Sequence, residues 1–369
     1  MEEFLNDNEV ATLENTCPGC GAGLVYDIQS GNLRCAHCGT MQDIDKNSAV
    51  ERRLMTDETL KAYGAWDEAS VFSCNGCGAK EVLDKKDLTR LCPFCGSAHV
   101  VAIEEVAGVR PDSVIPFQIT KDGAVERFRK WLKGRWLAPR SFKTADIRTR
   151  MNGVYTSCWS FTAQAESTYN GTLGRRVQTT RRDSRGQLVT SSKIRYFRVN
   201  GQMVDSYLDH FVQSGDRISP AMFAKIRPFD LKLIKVYRQE FLAGIIAEHY
   251  ARNLETCFNE FANFVRADMR RKIMRRHNAD VVQSLNLNVN YRNRKFNYVL
   301  LPIYIANYLY NKKLYNFYVN GASGTVVGKY PKSKFKIALI VFGAGLVAAA
   351  GIAVVGVGYS LGWFGGATI

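Results

Sequence analysis

The sequence predicts two small zinc-ribbon β units, an α+β membrane-proximal domain with antiparallel strands, and one C-terminal transmembrane helix. Three observations predict it. Two matched cysteine quartets lie within the first 95 residues, helical and two-residue apolar periods alternate through a basic middle, and an uncharged run of 28 residues lies near the end.

Charge divides the chain before any motif does. Residues 1–110 hold ten Lys/Arg against eighteen Asp/Glu, residues 111–336 hold forty against sixteen, and residues 337–369 hold none, for a net +16. Three charge regimes imply three physical tasks. The hydrophobic fraction of 46% excludes wholesale disorder. The expected units are a first ribbon (1–44), a connector (45–70) with a helix over 48–63, and a second ribbon (71–110). A basic α+β domain (111–330), a basic juxtamembrane segment (331–336), the membrane helix (337–364) and a short tail (365–369) follow.

Cys17-Pro-Gly-Cys20 is followed after fourteen residues by Cys35-Ala-His-Cys38. The pattern recurs as Cys74-Asn-Gly-Cys77, fourteen residues, then Cys92-Pro-Phe-Cys95. Two residues between cysteines let both thiolates face one ion, and a fourteen-residue gap fits a short hairpin that brings two knuckles together. Gly21, Gly39, Gly78 and Gly96 follow the second cysteine of each pair, where a positive φ closes the knuckle. Two structural zinc ions per chain are expected, one on Cys17, Cys20, Cys35 and Cys38, the other on Cys74, Cys77, Cys92 and Cys95. His37 and His99 read as bystanders. Residues 1–10 are acidic, without a basic and apolar leader, so a reducing cytosol is expected around these thiols.

In the middle domain, Ala124, Phe128, Trp131, Leu132 and Trp136 share one face of a helix over 120–136 capped by Thr120. Residues 154–210 alternate between turn signals at Asn170-Gly171, Arg185-Gly186 and Asn200-Gly201, predicting a meander. Residues 219–277 read as helical, broken at Pro228, with a long basic helix over 248–277. Strands are expected over 298–310, 313–319 and 325–328. Cys158 and Cys257 read as buried structural thiols.

The uncharged run Ile337–Phe364 exceeds the ~20 residues that span a bilayer core. Lys329, Lys332, Lys334 and Lys336 precede it and no charge follows. The positive-inside rule therefore predicts a tail-anchored, single-pass protein of the inner (cytoplasmic) membrane with its bulk in the cytoplasm. Gly345, Ala349 and Ala353 repeat at four residues, a face suited to homo-oligomers.

Arg266, Arg270, Arg271, Lys272, Arg275 and Arg276 crowd one helix end, and Arg175, Arg176, Arg181, Arg182 and Arg185 crowd a hairpin. Such clusters bind anionic lipid headgroups or nucleic-acid phosphates. No HExxH, GxSxG or GxGxxG motif occurs, and an enzyme is not expected. The expected function is a cytosol-facing adaptor that recruits protein partners to a membrane. The alternative is a membrane-tethered nucleic-acid-binding protein.

Beyond the quartets, the chain carries Ile115-Pro116-Phe117-Gln118-Ile119-Thr120, Phe128 with Trp131-Leu132, and Gly153-Val154-Tyr155 with Trp159. Phe241 with Gly244, Ala247-Glu248 with Tyr250, and Val319-Asn320-Gly321 with Gly324 complete the set. In this order they resemble a family of bacterial membrane-anchored double zinc-ribbon proteins, often labelled TFIIB-type zinc ribbon or primosomal-helicase-like. The resemblance implies phage-shock-type or flotillin-like protein partners and a role in membrane stress. The helicase label reflects only the cysteine knuckles. Thr156-Ser157-Cys158 departs from the family, where a Pro-Phe-type pair is usual.

Overall fold

The computed structural model describes residues 16–46, 49–56, 111–143, 151–182, 184–215, 218–248, 250–310 and 313–345, and the backbone of strands at 70–74, 80–82 and 100–105. In chain order, β1 (Leu24–Asp27), β2 (Asn32–Cys35) and β3 (Met41–Gln42) make a small antiparallel sheet around the first cysteine quartet. Next come β4 (Arg53–Leu54), β5 (Ser70–Cys74), β6 (Lys80–Val82), β7 (Val100–Glu105) and β8 (Ser113–Val114). They are followed by α1 (Lys121–Lys133), α2 (Arg140–Lys143), β9 (Met151–Arg182), β10 (Leu188–Gln213) and α3 (Pro220–Ile226). The last elements are β11 (Lys235–Val236), β12 (Ile246–Glu248), α4 (Leu254–Arg276), β13 (Val281–Tyr310), β14 (Lys313–Asn320) and β15 (Val326–Gly328). A further helix begins at residue 334 and is described to 345.

The frame is a ribbon of three very long strands in the order β10-β9-β13, all antiparallel. On β9 the residues Phe161, Ala163, Ala165, Ser167, Tyr169 and Leu173 are buried on one face. That face is covered by α4, whose Phe261, Val265, Met269 and Ile273 recur every four residues and are buried. The 23-residue helix is about 35 Å long and covers most of the roughly 40 Å of β9 from Phe161 to Leu173. The opposite face stays wet, with Asn170, Asn200 and Asn286 abreast of one another.

Two of the three expected turns are absent, so the meander is corrected to a single hairpin. Only residues 184–187 turn. Asn170-Gly171 and Asn200-Gly201 face each other in mid-strand, Val199 opposite Gly171 and Gly201 opposite Tyr169. The glycines are there for space. A Cβ on Gly201 would meet the Tyr169 ring at 2.9 Å. One on Gly171 would sit 2.2 Å from the Ser284 carbonyl oxygen and 2.8 Å from Leu285 Cα, both backbone. Gly171→Ala should therefore force β9 and β13 apart and destabilise the chain by the ~1–3 kcal/mol of overpacked sites. A thermal melt with an unchanged midpoint would show that the strands yield freely.

The expected helix over 48–63 is also corrected where it is described, since 49–56 is extended. Side chains override local propensity there. Arg52 grips Asp209 through two bonds of 2.7 and 2.5 Å, Arg53 pairs with Asp112 at 2.6 Å, and β4 pairs with β13. Among its described residues the 219–277 region is helical only at α3, two short 3-10 turns and α4. At α1 the Thr120 hydroxyl accepts from the Gly123 amide at 3.2 Å, as expected, and Ala124, Phe128 and Leu132 are buried. Trp136 lies past the helix end and is 59% exposed, against expectation. Cys158 and Cys257 are buried, as expected. Strands β6, β5 and β7 join the main sheet through β12.

Candidate metal centre

The first quartet is assembled by two equal knuckles. The Gly21 amide donates to the Cys17 carbonyl at 2.9 Å and the Gly39 amide to that of Cys35 at 3.0 Å. Gly21 and Gly39 have φ of 73° and 77°, the left-handed geometry that glycine adopts without strain. Between the knuckles the fourteen residues form the β1–β2 hairpin. Its turn is closed by the Gly31 amide on the Asp27 carbonyl (2.8 Å) and the Ser30 amide on the Asp27 carboxylate (3.1 Å).

The four sulfurs lie within 4.8 Å of one another. Cys17 and Cys38 are 3.4 Å apart, Cys20 and Cys35 3.5 Å. A tetrahedral zinc with ~2.3 Å Zn–S bonds needs edges of about 3.8 Å, so the cage fits that ion. The Gly19 amide points at the Cys17 sulfur at 3.4 Å and the Cys38 amide at that of Cys35 at 3.5 Å. The Thr40 hydroxyl and amide pull the Cys38 thiol down to about 6. The Ala22 amide favours a Cys20 thiolate, but the sulfurs of Cys38 and Cys35 outweigh it and push that thiol up to about 12. Four thiolates at this spacing repel each other, and a divalent cation removes the conflict. The group is consistent with one structural zinc. All four corners are protein sulfurs, which leaves no position for a reacting water. His37 is exposed and lies outside the group.

This unit is docked rather than free-standing. Leu24, Tyr26, Leu33 and Ile44 join Cys17 and Cys35 in one core with Tyr155, Phe241 and Ala243 of the main domain. Tyr26 packs edge-on to Phe241 at 5.7 Å, and its amide donates to the Ala243 carbonyl at 3.0 Å. Arg238 closes the contact on Asp45 at 2.5 Å.

Of the second quartet, Cys74 ends β5, while Cys77, Cys92 and Cys95 lie outside the described residues. The six expected phosphate-binding cations of α4 are not equivalent. Lys272 is held by Asp205 and by Asp268 (2.8 Å), and both carboxylates raise its pKa. Arg271 pairs with Asp268 at 2.9 Å. Burial would raise the Asp268 carboxyl, but Lys272, Tyr207 and Arg271 outweigh it and hold it low. Arg266 donates to Asn263 and Arg276 to the Gln202 carbonyl. The side chains of Arg270 and Arg275 make no hydrogen bond or ion pair among the described residues. Arg175, counted above as a hairpin cation, instead caps α4 by donating to the His277 and Asn278 carbonyls at 2.8 Å. Lys193 and Arg195, on β10 opposite Val177 and Arg175 of β9, escaped the sequence reading; pairing the hairpin about Arg185-Gly186 would have found them.

The chain is 27% identical over 323 residues to the uncharacterized protein YdjG of Bacillus subtilis (strain 168), covering 87% of this chain and 91% of that protein. The two are distant homologues. No family model and no solved structure matches the chain.

Proposed function

We propose that this chain is a tail-anchored, cytosol-facing zinc-ribbon adaptor that recruits protein partners to the inner membrane. The observation that carries the reading is the foot of the final helix. Over 334–345, Phe335, Leu339, Val341 and Phe342 are 77, 63, 66 and 69% exposed, an apolar helix that nothing in the described chain covers. Among the described residues, which end at 345, no helix is long and apolar enough to cross a membrane. The uncharged sequence continues to Phe364, and the helix is read as the start of that span.

The foot is fastened to the domain. The Ser333 amide donates to the Leu137 carbonyl at 2.8 Å, and the Lys336 ammonium to that of Ala138 at 3.1 Å. Exposed Trp136 sits beside this lysine-rich collar, where an indole suits the headgroup layer. A second structural zinc on Cys74, Cys77, Cys92 and Cys95 completes the reading, with Cys74 at the end of β5, which lies between β6 and β7. An acidic first ribbon presented on a membrane-bound body suits protein capture, by phage-shock-type or flotillin-like partners as the family resemblance implies. The test is a crosslinking pull-down of the full chain from detergent-solubilised membranes. A partner retained by the wild type and lost in a Cys74→Ser or Cys17→Ser chain supports the adaptor. Recovery of nucleic acid alone, in a salt-sensitive manner, would replace it with the tethered nucleic-acid reading.

A further inference from the structure

The three-stranded ribbon ends before two of its strands do. β13 stops pairing at Val281 opposite Gly174, and α4 ends at Arg276 under its Arg175 cap. Beyond that point β9 and β10 run on alone, Arg175–Arg182 paired with Leu188–Arg195. Eight residues on each side make an arm about 26 Å long. A bare two-stranded hairpin has no core and is marginal in water. This one nevertheless leaves Val177, Leu188, Val189 and Ile194 exposed to 40, 67, 50 and 41%. The side chains of Arg181, Arg182, Lys193 and Arg195 have no hydrogen bond or ion pair among the described residues.

The register sorts these side chains. Leu173 and Phe197 are paired on the face that α4 covers, in the cluster of Ile273. Two-residue alternation puts the pairs Arg175/Arg195, Val177/Lys193 and Arg181/Val189 on that same face. The outward arginines of α4, Arg270 and Arg275, therefore lie on the same side of the ribbon as Arg195, Lys193 and Arg181. The side is basic from the C-terminal half of α4 outward, with Val177 and Val189 set among the charges of the arm.

We propose that this arm is a second membrane contact, in which Arg181, Lys193 and Arg195 bind anionic headgroup phosphates while Val177 and Val189 enter the interface. The proposal rests on the anchored reading above. The two contacts sit at opposite ends of the molecule. Met151 belongs to the core of Ala138, where the helix foot docks, and the 32 residues of β9 carry the chain about 105 Å from there to Arg182. Contact at both ends lays the ribbon along the bilayer instead of standing it upright. A second copy of the arm is excluded as occupant by like charge. Duplex nucleic acid would satisfy the arginines but leave the exposed valines in water, whereas a bilayer surface takes both. Tethering also keeps headgroups within reach at high effective concentration.

The experiment is hydrogen–deuterium exchange of the full chain reconstituted in nanodiscs of phosphatidylcholine, with and without phosphatidylglycerol. Amides of 175–197 should exchange about tenfold more slowly on the anionic discs, in keeping with several cations held at a charged leaflet. The protection should disappear in an Arg181→Gln, Lys193→Gln, Arg195→Gln chain that keeps its zinc and its α4 protection. Equal exchange on both discs, protection that survives in that variant, or protection by duplex DNA but not by anionic discs would overturn the proposal. Should the chain fail to enter discs at all, the anchored reading falls, and flotation with anionic vesicles decides the arm. Salt-sensitive flotation lost in the glutamine variant upholds it, and no flotation ends it.

Discussion

Replacing Cys35 by serine is expected to remove one zinc ion per chain and to loosen the main domain together with the ribbon. Cys35 is 1% exposed and its sulfur is 3.5 Å from that of Cys20, so a hydroxyl there leaves three thiolates and a poor fourth ligand. Structural zinc sites of this kind contribute about 10–16 kcal/mol of apparent binding free energy to folding. The ribbon has little to replace that with, because Leu24, Tyr26, Leu33 and Ile44 are nearly all of its own apolar core. Its collapse would uncover Phe241 and Ala243 on the domain and orphan the Ala243 carbonyl that Tyr26 now satisfies. Metal analysis should show one zinc fewer than the wild type, and limited proteolysis should cut within 16–46. Protection around 237–248 should fall as well. Unchanged zinc content would refute the site, and a ribbon that unravels with 237–248 still protected would refute the shared core.

The knuckles were legible because their chemistry is local: spacing, glycine position and hairpin length all lie within twenty-two residues, Cys17 to Cys38. So was α1, whose cap and apolar stripe are consecutive. The long ribbon was misread for the opposite reason. Strands in globular proteins usually run five or six residues. Asn-Gly pairs inside a thirty-two-residue strand therefore imitate turns, although their glycines make room for Tyr169 and for the β13 backbone. The alternation Leu285-Asn-Leu-Asn-Val-Asn-Tyr291 was a plain strand signal that the nearby basic helix obscured. Part of the family-like set, from Phe117 to Gly321, converges on one structural knot, while Trp159 and Tyr250 pack in a separate cluster. Phe117 packs edge-on to Tyr155 at 5.1 Å and to Tyr304 at 4.8 Å, and a Cβ on Gly321 would meet its ring at 2.5 Å. The Gln118 and Ile119 amides donate to the Gly321 carbonyl at 2.9 and 3.0 Å. No run of sequence announces that convergence, because it depends on pairings between β8, β9, β13 and β14.

Deleting residues 337–369 is expected to move the protein from the membrane pellet to the soluble fraction. The deleted run is uncharged from Ile337 onward and rich in Ile, Leu, Val and Phe. Each of these favours the bilayer centre by roughly 0.3–0.6 kcal/mol, which together outweighs any surface contact. What the truncation leaves is the arm and the α4 arginines, whose attraction falls off over about 8 Å at physiological salt. Residual pelleting of the truncated chain should therefore be released by raising the salt concentration, while the full chain should stay bound at any ionic strength. Lys329, Lys332, Lys334 and Lys336 hold the near side, so a reporter fused after Ile369 should read as non-cytosolic. Complete pelleting of the truncated chain at high salt would show that the tail is not the anchor. A cytosolic reporter signal would instead reverse the topology and place the zinc ribbons on the far side of the membrane.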